Sequence, residues 1–340
     1  MTCRAASADF SPGPSQATLI DGHGRGIDYL RISLTDRCDL RCSYCLPAGH
    51  QDFSPRRDWL QPEEVGQIVA AFAALGVRRI RLTGGEPLTR RDTPEIAERI
   101  GATPGIEDLS LTTNATQLAR LAGGLRQTGV TRLNVSLDTL DRSRFEAITG
   151  RDALPDVLAG LAAARAAGFA PIKINMMALA EVNEREIDAM VDYCIAMGFV
   201  LRLIEPMPMG SAGRAVRAAD LGAIRARLQA RYGLVDALVA GGGPARYLRA
   251  PDGRFTVGFI TPLSQHFCAT CNRVRLSAEG MLYLCLGQED AVDLKAVVRA
   301  GASAAELQAC IAAAVRRKPE RHEFNASPHK LVRMMAKTGG

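Results

Sequence analysis

The stretch Asp36-Arg-Cys38-Asp-Leu-Arg-Cys42-Ser-Tyr-Cys45 places three cysteines at a C-x3-C-x2-C spacing, directly after an apolar run at 29–35 that is typical of a β-strand. Thiolate sulfur is the preferred ligand of iron–sulfur clusters, so three cysteines on one loop can hold three irons of a four-iron cube. The fourth iron then has a coordination position for a small molecule. Structural zinc is the alternative, but it usually takes four protein ligands with C-x2-C pairs.

A glycine-rich motif, Gly84-Gly-Glu-Pro87, closes the next strand-like run at 78–83. Paired glycines allow a backbone to approach another group closely. The cysteine spacing, with Tyr44 before the last cysteine, and the following strand with its GGEP end resemble the radical S-adenosylmethionine (SAM) superfamily. This resemblance implies that the open iron binds the amino and carboxylate groups of SAM, with the GGEP backbone beside the amino group.

Composition limits the class of protein. The chain has 340 residues, 47% of them hydrophobic, and a net charge of +6, which is compatible with a phosphate-rich ligand but too diffuse to indicate nucleic acid. No apolar run reaches eighteen residues, so we expect a cytoplasmic protein without membrane segments. Six of the nine cysteines fall into two tight groups, which indicates metal binding rather than disulfides.

Strand-like and helix-like runs alternate from Tyr29 onward, which predicts an α/β fold with parallel strands. Polar residues gather where strands end, the position at which such folds build active sites. The periodicity fits a doubly wound sheet or a barrel, and the resemblance favours an incomplete (β/α)6 TIM-like barrel. The predicted strands are 29–35, 78–83, 108–113, 132–137, 171–179 and 199–205, and the predicted helices are 62–75, 92–100, 117–128, 154–167, 184–197 and one near 217–231.

Changes in composition and periodicity along the chain predict four segments. Residues 1–27 lack periodicity and are expected to be flexible, whereas 28–232 carry the barrel pattern. Residues 233–330 predict a smaller α+β domain with strands at 245–249 and 254–260, a hairpin at 273–284, and helices at 291–299 and 304–316. Residues 331–340 are expected to be a flexible tail that ends in Gly-Gly.

The second cysteine group, Cys268, Cys271 and Cys285, has the spacing C-x2-C-x13-C. A zinc knuckle would need a fourth ligand, and three ligands again favour a cube with one open iron. Arg273 and Arg275 follow at once and lie on one face of a strand, where two guanidiniums can bind a polyanion. A solvated strand face is the alternative interpretation of this arginine pair.

Both cysteine motifs, the N-R-x-R that follows Cys271 and the Gly-Gly end together resemble the GTP 3′,8-cyclase family of molybdenum cofactor biosynthesis. The resemblance runs from about Tyr29 to the last residue. It implies two 4Fe–4S clusters, one that binds SAM and a second, auxiliary one at the other opening of the barrel, with GTP between them. It also implies that a 5′-deoxyadenosyl radical abstracts hydrogen from C3′ of GTP and that C3′ then bonds to C8.

The resemblance assigns roles residue by residue. Metal ligands are Cys38, Cys42, Cys45, Cys268, Cys271 and Cys285. SAM contacts are Tyr44, Gly85, Ser136 and Met207, with Met209 as the alternative to Met207. GTP contacts are Arg31, Arg81, Thr112, Lys173, Arg273, Val274 and Arg275. Arg273, Arg275, Gly339 and Gly340 are the residues implied to act in catalysis.

Arg31, Arg81 and Lys173 lie on mostly apolar predicted strands, where a cation is costly unless it is paired. A triphosphate would supply that pairing, and Arg202 is a weaker candidate for the same role. Salt bridges to Asp138 or Glu205, or an outward orientation, are the alternatives. The chain departs from the family pattern at Ala115, where glycine is usual, and at Pro206, where an aromatic residue is usual.

The implied partners are GTP, an electron donor of the flavodoxin or ferredoxin type, and the next enzyme of the pathway, which forms cyclic pyranopterin monophosphate. A homodimer is expected from the resemblance alone. Two other functions remain open at this point: a radical SAM maturase that modifies peptides and carries an auxiliary cluster, and a zinc-binding module without catalysis. The low number of C-terminal cysteines disfavours the maturase.

Overall fold

A computed structural model describes residues 18–47, 49–239, 241–326 and 328–339. Twelve strands are Tyr29–Ser33 (β1), Arg79–Thr83 (β2), Asp108–Thr113 (β3), Arg132–Ser136 (β4), Ile172–Met177 (β5), Val200–Ile204 (β6), Val235–Ala237 (β7), Arg246–Arg249 (β8), Thr256–Ile260 (β9), Arg273–Leu276 (β10), Met281–Tyr283 (β11) and Ala291–Asp293 (β12). The helices are Pro62–Ala74 (α1), Thr93–Gly101 (α2), Leu118–Gln127 (α3), Arg142–Thr149 (α4), Leu154–Ala166 (α5), Ile187–Met197 (α6), Gly210–Arg214 (α7), Leu221–Tyr232 (α8), Leu294–Arg299 (α9), Ala304–Arg316 (α10) and Met335–Thr338 (α11). No helix in the described part of the chain is long and apolar enough to span a membrane.

The strands form one mixed sheet in the order β12-β11-β10-β1-β2-β3-β4-β5-β6-β9-β8-β7. β1 to β6 are parallel neighbours in chain order, which confirms the predicted α/β fold. Alternate residues of each strand face opposite sides. One side carries apolar residues such as Ile32, Leu82 and Leu203, which are fully buried in the hydrophobic core. The other side carries polar residues, including Arg31 and Arg81, and it forms the site described below.

Strands from the C-terminal region join both edges of the six-stranded unit. β10 pairs parallel with β1, and β9 pairs parallel with β6. An exposed edge strand leaves backbone groups unpaired, and these additions cover both edges. The predicted division at residue 232 therefore does not separate two sheets, and the incomplete barrel remains a prediction.

Two local predictions were wrong. α4 was missed because it is only eight residues long and has few apolar residues; its signals are the Asp141 cap, which accepts from the Arg144 amide at 2.7 Å, and Gly150 with φ of 70° at its end. The predicted helix 291–299 begins instead as β12, which pairs with β11, and becomes helical only at Leu294. Strand pairing overrides the local pattern there.

Residues 18–27 pack onto the C-terminal region, which corrects the prediction of a flexible segment for this part. Leu19 and Ile27 are buried, and Asp21 pairs with Arg25 at 2.6 Å. Arg25 also donates to the carbonyl of Cys268 at 2.8 Å, so this turn supports the second cysteine group. Residues 1–17, including Cys3, lie outside the described residues.

Candidate active site

The first cysteine group lies on the loop after the carboxyl end of β1. The amides of Arg41 and Ser43 donate to the carbonyls of Thr149 and Ile148 at 2.7 and 2.9 Å, which fixes the loop against α4. Burial raises the pKa of both Cys38 and Cys45 to about 12, with nearby carboxylates adding to the effect.

Among the described residues, no positive side chain offsets the burial of these two thiols. Bound iron would supply such a positive charge, so the donor set fits an iron–sulfur cluster. No three His, Cys, Asp or Glu side chains in the described residues converge closely enough to hold a single metal ion.

The two glycines of GGEP are required by the cysteine loop. A Cβ on Gly84 would lie 2.5 Å from the carbonyl oxygen of Thr35, and one on Gly85 would lie 2.4 Å from that of Arg37. The amide of Gly85 donates to the Thr35 carbonyl at 2.8 Å. The glycines thus bring the β2 end against the cysteine loop, and the SAM contact of Gly85 remains a prediction.

Glu86, which the sequence analysis did not single out, follows β2 and links it to the end of β3. Its carboxylate accepts from Thr113 Oγ1 at 2.8 Å and from the Asn114 amide at 2.6 Å. Complete burial raises its pKa to about 7. Asn114 in turn donates to Asp39 at 2.8 Å and lies 3.7 Å from Cys38 Sγ, so this buried network positions the first cysteine.

Ala115 adopts φ of 65°, a left-handed conformation that favours glycine, and its side chain is buried. The departure noted in the sequence therefore carries backbone strain. A Cβ on Gly160 of α5 would lie only 2.4 Å from the carbonyl oxygen of Ala115, so α5 packs directly against this turn.

The strain leads to a prediction on stability. Ala115→Gly should relieve about 1–2 kcal/mol of left-handed backbone strain. It also removes a buried methyl group that contributes about 0.8 kcal/mol, and it increases the conformational entropy of the unfolded chain. We expect the free energy of unfolding to change by less than about 0.5 kcal/mol. Ala122→Gly, at a buried position of α3, is the matched control and should cost about 1–2 kcal/mol. Urea unfolding of both variants measures the difference, and equal losses would contradict the strain.

Hydrogen bonds hold Tyr44 and the two carboxylates, Asp138 and Glu205, that were considered as salt-bridge partners of the strand cations. Tyr44 Oη donates to Asp138 at 2.6 Å, and Asp138 also accepts from the Met177 amide at 2.8 Å. Glu205 accepts from the amides of Leu263 and Ser264 at 2.8 and 3.1 Å. Neither carboxylate forms a described ion pair with the strand cations, so the salt-bridge alternative is not supported.

The two methionines after β6 differ in burial, although Met207 packs against the cluster that contains Met209. Met209 is buried with Phe324 and Leu331 in a small hydrophobic cluster. Met207 lines the large cavity described next. Ser136 is half-buried at the end of β4. Met207 is therefore better placed than Met209 to contact a ligand.

A cavity with about 990 Å³ of empty space, a figure that includes its opening to solvent, lies on the polar face of the sheet. It brings together the second cysteine group and the arginines predicted from the strands. Its lining includes Cys268, Cys271, Cys285, Arg31, Arg81, Arg202, Arg273, Val274, Arg275 and Met207. Val274 has its side chain in the hydrophobic core, so we expect only its backbone to face a ligand.

Cys271 lies at the amino end of β10, which is parallel to β1, whereas the first cysteine group follows the carboxyl end of β1. The two groups therefore lie at opposite ends of the strands. Burial opposes ionisation of Cys271, but Lys318 and Arg273 outweigh it and lower the pKa of this thiol. A thiol that favours its thiolate is a good ligand for iron, so this donor set also fits a cluster.

The cations on the polar face form no salt bridge among the described residues. Register places Arg275, Arg31 and Arg81 side by side across β10, β1 and β2. Arg31 Nε and Arg273 Nε are buried without a hydrogen-bond partner. Burial, followed by repulsion from Arg275 and Arg81, holds the pKa of Arg31 well below its ordinary value.

Arginines elsewhere on the same strands are paired. Arg132 pairs with Asp108, and Arg79 pairs with Asp28. By contrast, the cations that line the cavity lack a carboxylate partner within hydrogen-bond distance in the described part of the chain, and a buried charge without such a partner is costly.

A second cavity adjoins the first and shares Arg81 and Arg202 with it. Lys173 lies there, 5.7 Å from the centre of the Tyr247 ring. Burial lowers the pKa of Lys173 to about 8, and nearby arginines add to the effect. Thr112 Oγ1 is buried without a hydrogen-bond partner.

The C-terminal residues enter the site rather than forming a free tail, which differs from the flexible tail predicted for 331–340. Arg275 donates to the carbonyl oxygen of Gly339 at 2.5 Å. A Cβ on Gly339 would lie 2.3 Å from Thr83 Cγ2, so only glycine fits between β10 and β2. Arg333 anchors the segment by pairing with Glu289 at 2.8 Å. Gly340 lies outside the described residues.

Comparison with known proteins agrees with this geometry. Residues 32–194 match the radical SAM superfamily, and residues 199–324 match the family described as Molybdenum Cofactor Synthesis C. A GTP 3′,8-cyclase of Paracoccus denitrificans is 48% identical over 337 residues, covering 96% of this chain and 97% of the relative. GTP 3′,8-cyclase 1 of Pseudomonas aeruginosa is 47% identical, covering 94% and 99%. The chain belongs to the GTP 3′,8-cyclase family.

Solved structures place this cyclase-family chain in the radical SAM fold. Streptococcus suis SuiB bound to S-adenosylmethionine superposes with a TM-score of 0.56 at 16% identity, covering 78% of this chain and 63% of that one. A second crystal structure of Streptococcus suis SuiB gives a TM-score of 0.59 at 16% identity, covering 80% of this chain and 64% of that one. At this identity the likeness concerns the fold alone. Membership of the family also implies SAM and a 4Fe–4S cluster, which the first cysteine group suits.

Proposed function

We propose that this chain converts GTP into (8S)-3′,8-cyclo-7,8-dihydroguanosine 5′-triphosphate, the first step of molybdenum cofactor biosynthesis. The observation that carries the proposal is a set of buried arginines without salt bridges in the described residues, which shares one cavity with the second cysteine group. Membership of the cyclase family supports the same conclusion.

We propose that the triphosphate binds Arg31, Arg81, Lys173 and Arg273, with Arg202 as a further contact. Guanidinium groups bind phosphate oxygens in pairs, and a polyanion would remove the cost of burying these charges. Arg275 contacts both the cavity and the carbonyl of Gly339, so it links the substrate to the C-terminal residues. Fixing the phosphates holds the ribose in one orientation.

The two cysteine groups are proposed to hold separate 4Fe–4S clusters, the first with SAM and the second, auxiliary one facing the guanine. Tyr44, Gly85, Ser136 and Met207 are the proposed SAM contacts. When bound, the first cluster and SAM supply the 5′-deoxyadenosyl radical that begins the reaction. The chain's own residues orient GTP, exclude water from the cavity and keep the reacting ribose near the radical source.

The remaining partners are also proposals. We expect an electron donor of the flavodoxin or ferredoxin type, transfer of the product to the enzyme that forms cyclic pyranopterin monophosphate, a homodimer and a cytoplasmic location. The incomplete (β/α)6 barrel, the division at 232/233 and a separate C-terminal cluster domain are proposed from the same family resemblance.

Anaerobic incubation of the iron-loaded chain with SAM, a chemical reductant and GTP tests the function. We expect 5′-deoxyadenosine and a cyclised nucleotide triphosphate with the mass of GTP, which is an isomerisation product. SAM cleavage without any change of GTP would favour the peptide-modifying maturase. Zinc without iron in protein purified under anaerobic conditions would favour the binding module.

The affinity for GTP is expected to fall as the pH rises through about 8, because the pKa of Lys173 lies near that value in the free site. A triphosphate beside Nζ favours the protonated amine and raises its pKa. Binding is therefore strongest below this pH and takes up a proton above it. Calorimetry in two buffers of different ionisation enthalpy measures the uptake, and Lys173→Met should remove most of it. An affinity that stays constant to about pH 9 contradicts the role of Lys173.

A further inference from the structure

Tyr29 lies at the centre of the cation cluster, although no motif points to it. It is the first residue of β1, and the register pairs it with Arg273 of β10 and Arg79 of β2. Its side chain is only 3% exposed and borders the second cavity. The residue therefore borders the cavity that contains Lys173 and that shares Arg81 and Arg202 with the larger one.

Three guanidinium groups surround the Tyr29 ring. The distances from Cζ to the ring centre are 5.4 Å for Arg81, 5.9 Å for Arg273 and 6.0 Å for Arg31. A cation at such a distance is stabilised by the negative face of an aromatic ring. Burial alone would raise the pKa of Tyr29, but the charges of these three arginines outweigh it and lower the pKa.

The ring is also the one aromatic group that contacts all three arginines in the described residues. Arg273 has a second aromatic neighbour, Phe267, at 5.5 Å, whereas Arg31 and Arg81 have Tyr29 alone. None of the three has a carboxylate partner in the described part of the chain. Tyr29 is therefore the shared favourable contact of a cluster whose members otherwise repel one another.

We propose that Tyr29 is a positioning residue of the anion site, whose ring holds the guanidiniums of Arg31, Arg81 and Arg273 at the spacing that a polyphosphate requires. The inference rests on the proposed function, since it assumes that these cations bind the triphosphate of GTP.

An aromatic ring suits this role better than a carboxylate. A carboxylate would neutralise the guanidiniums and compete with the phosphates for their N–H groups. A ring stabilises the cations while their N–H groups remain available for phosphate oxygens. The site is thereby preorganised, which reduces the cost of ordering three long side chains on binding.

Calorimetry with the iron-loaded protein, without SAM and under anaerobic conditions, tests the proposal with two ligands: GTP and inorganic triphosphate. Tyr29→Phe keeps the ring and should bind both within about twofold of the wild type. Tyr29→Leu removes the ring and should bind both at least about tenfold more weakly. Equal binding by the leucine variant, or an equal loss in both variants, overturns the proposal.

Steady-state kinetics give a readout that a purely structural role would not produce. Because the ring acts on groups that hold the phosphates before and during the reaction, Tyr29→Leu should raise KM for GTP with little change of kcat. Tyr29→Phe should restore KM. A fall of kcat without a change of KM overturns the positioning role.

If Tyr29→Leu does not fold, fluorinated phenylalanines at position 29 test the same role of the ring. They preserve the shape of the ring while progressively withdrawing charge from its face, so triphosphate affinity should fall with each added fluorine. An affinity that is independent of fluorination overturns the proposal.

Tyr232→Leu is the matched control, because it removes a cation–π contact of 5.2 Å with Arg231 on the surface of α8. It should bind GTP like the wild type. Wild-type protein that binds neither GTP nor triphosphate would refute the proposed function itself, whereas normal wild-type binding with unaffected Tyr29 variants refutes only this inference.

Discussion

Replacing Arg273 and Arg275 by alanine together is expected to abolish turnover of GTP while reductive cleavage of SAM continues. Both side chains are buried in the cavity that contains the second cysteine group, and neither has an ion-pair partner in the described residues. A hydrogen bond to a charged group contributes about 1.5–3 kcal/mol. Losing both side chains should therefore lower kcat/KM for GTP at least about a hundredfold.

The SAM-binding end should be spared, because Arg273 and Arg275 lie on β10, beside β1, and the first cysteine loop follows the far end of β1. The measurement is parallel quantification of 5′-deoxyadenosine and of the cyclised nucleotide. The single variant Arg273→Ala separates phosphate binding from the contact that Arg275 makes with Gly339.

A matched control for the pair exists on the surface of α8. Arg227 and Arg231 both pair with Asp188 at 2.6 Å, so their double alanine variant also removes two charges from the chain. It should cyclise GTP like the wild type. Wild-type cyclisation by the Arg273 and Arg275 double variant would refute the triphosphate role of these arginines.

Replacing Cys271 by serine is expected to remove about four of about eight irons per chain and to stop cyclisation, with SAM cleavage retained. Replacing Cys42 should remove the other half of the iron and stop SAM cleavage as well. The reason is that the two cysteine groups lie at opposite ends of the parallel strands and each fits a cluster of its own.

Iron and sulfide analysis of anaerobically prepared variants, with the paramagnetic spectrum of the reduced state, provides the measurement. Cys194→Ala is the control: this thiol is fully buried in α6, belongs to neither group, and its loss should leave iron content unchanged. The same loss of iron from the Cys42 and Cys271 variants would mean that one shared site, rather than two, holds the metal.

Local sequence signals predicted the parallel strands and most helices. β3 and α10 have the predicted bounds, and the other strands of the six-stranded unit differ by a few residues at their ends. The reason is that apolar periodicity, glycine ends and proline starts are all local signals. The helix α4 and the strand β12 were missed because capping and strand pairing, rather than apolar periodicity, determine them.

The candidate site was only partly predictable. Arg31, Arg81 and Lys173 were identified because a cation on an apolar strand needs an explanation. Glu86 and Tyr29 were missed, since a glutamate in a loop and a tyrosine at a strand start are unremarkable without their neighbours. Only the structure shows that Glu86 is fully buried and that Tyr29 touches three guanidiniums.

By itself, the sequence determined the chemistry: two sets of three thiols, the strand cations and the glycine-rich turn, all of which follow from residue type and short spacing. The tertiary structure alone decided which of these groups meet. Segments more than two hundred residues apart, β1 and β10, become neighbours because both edges of the parallel sheet need partners for their backbone groups. That pairing brings Arg273 and Arg275 beside Arg31 and creates the cation cluster that no stretch of the chain contains on its own.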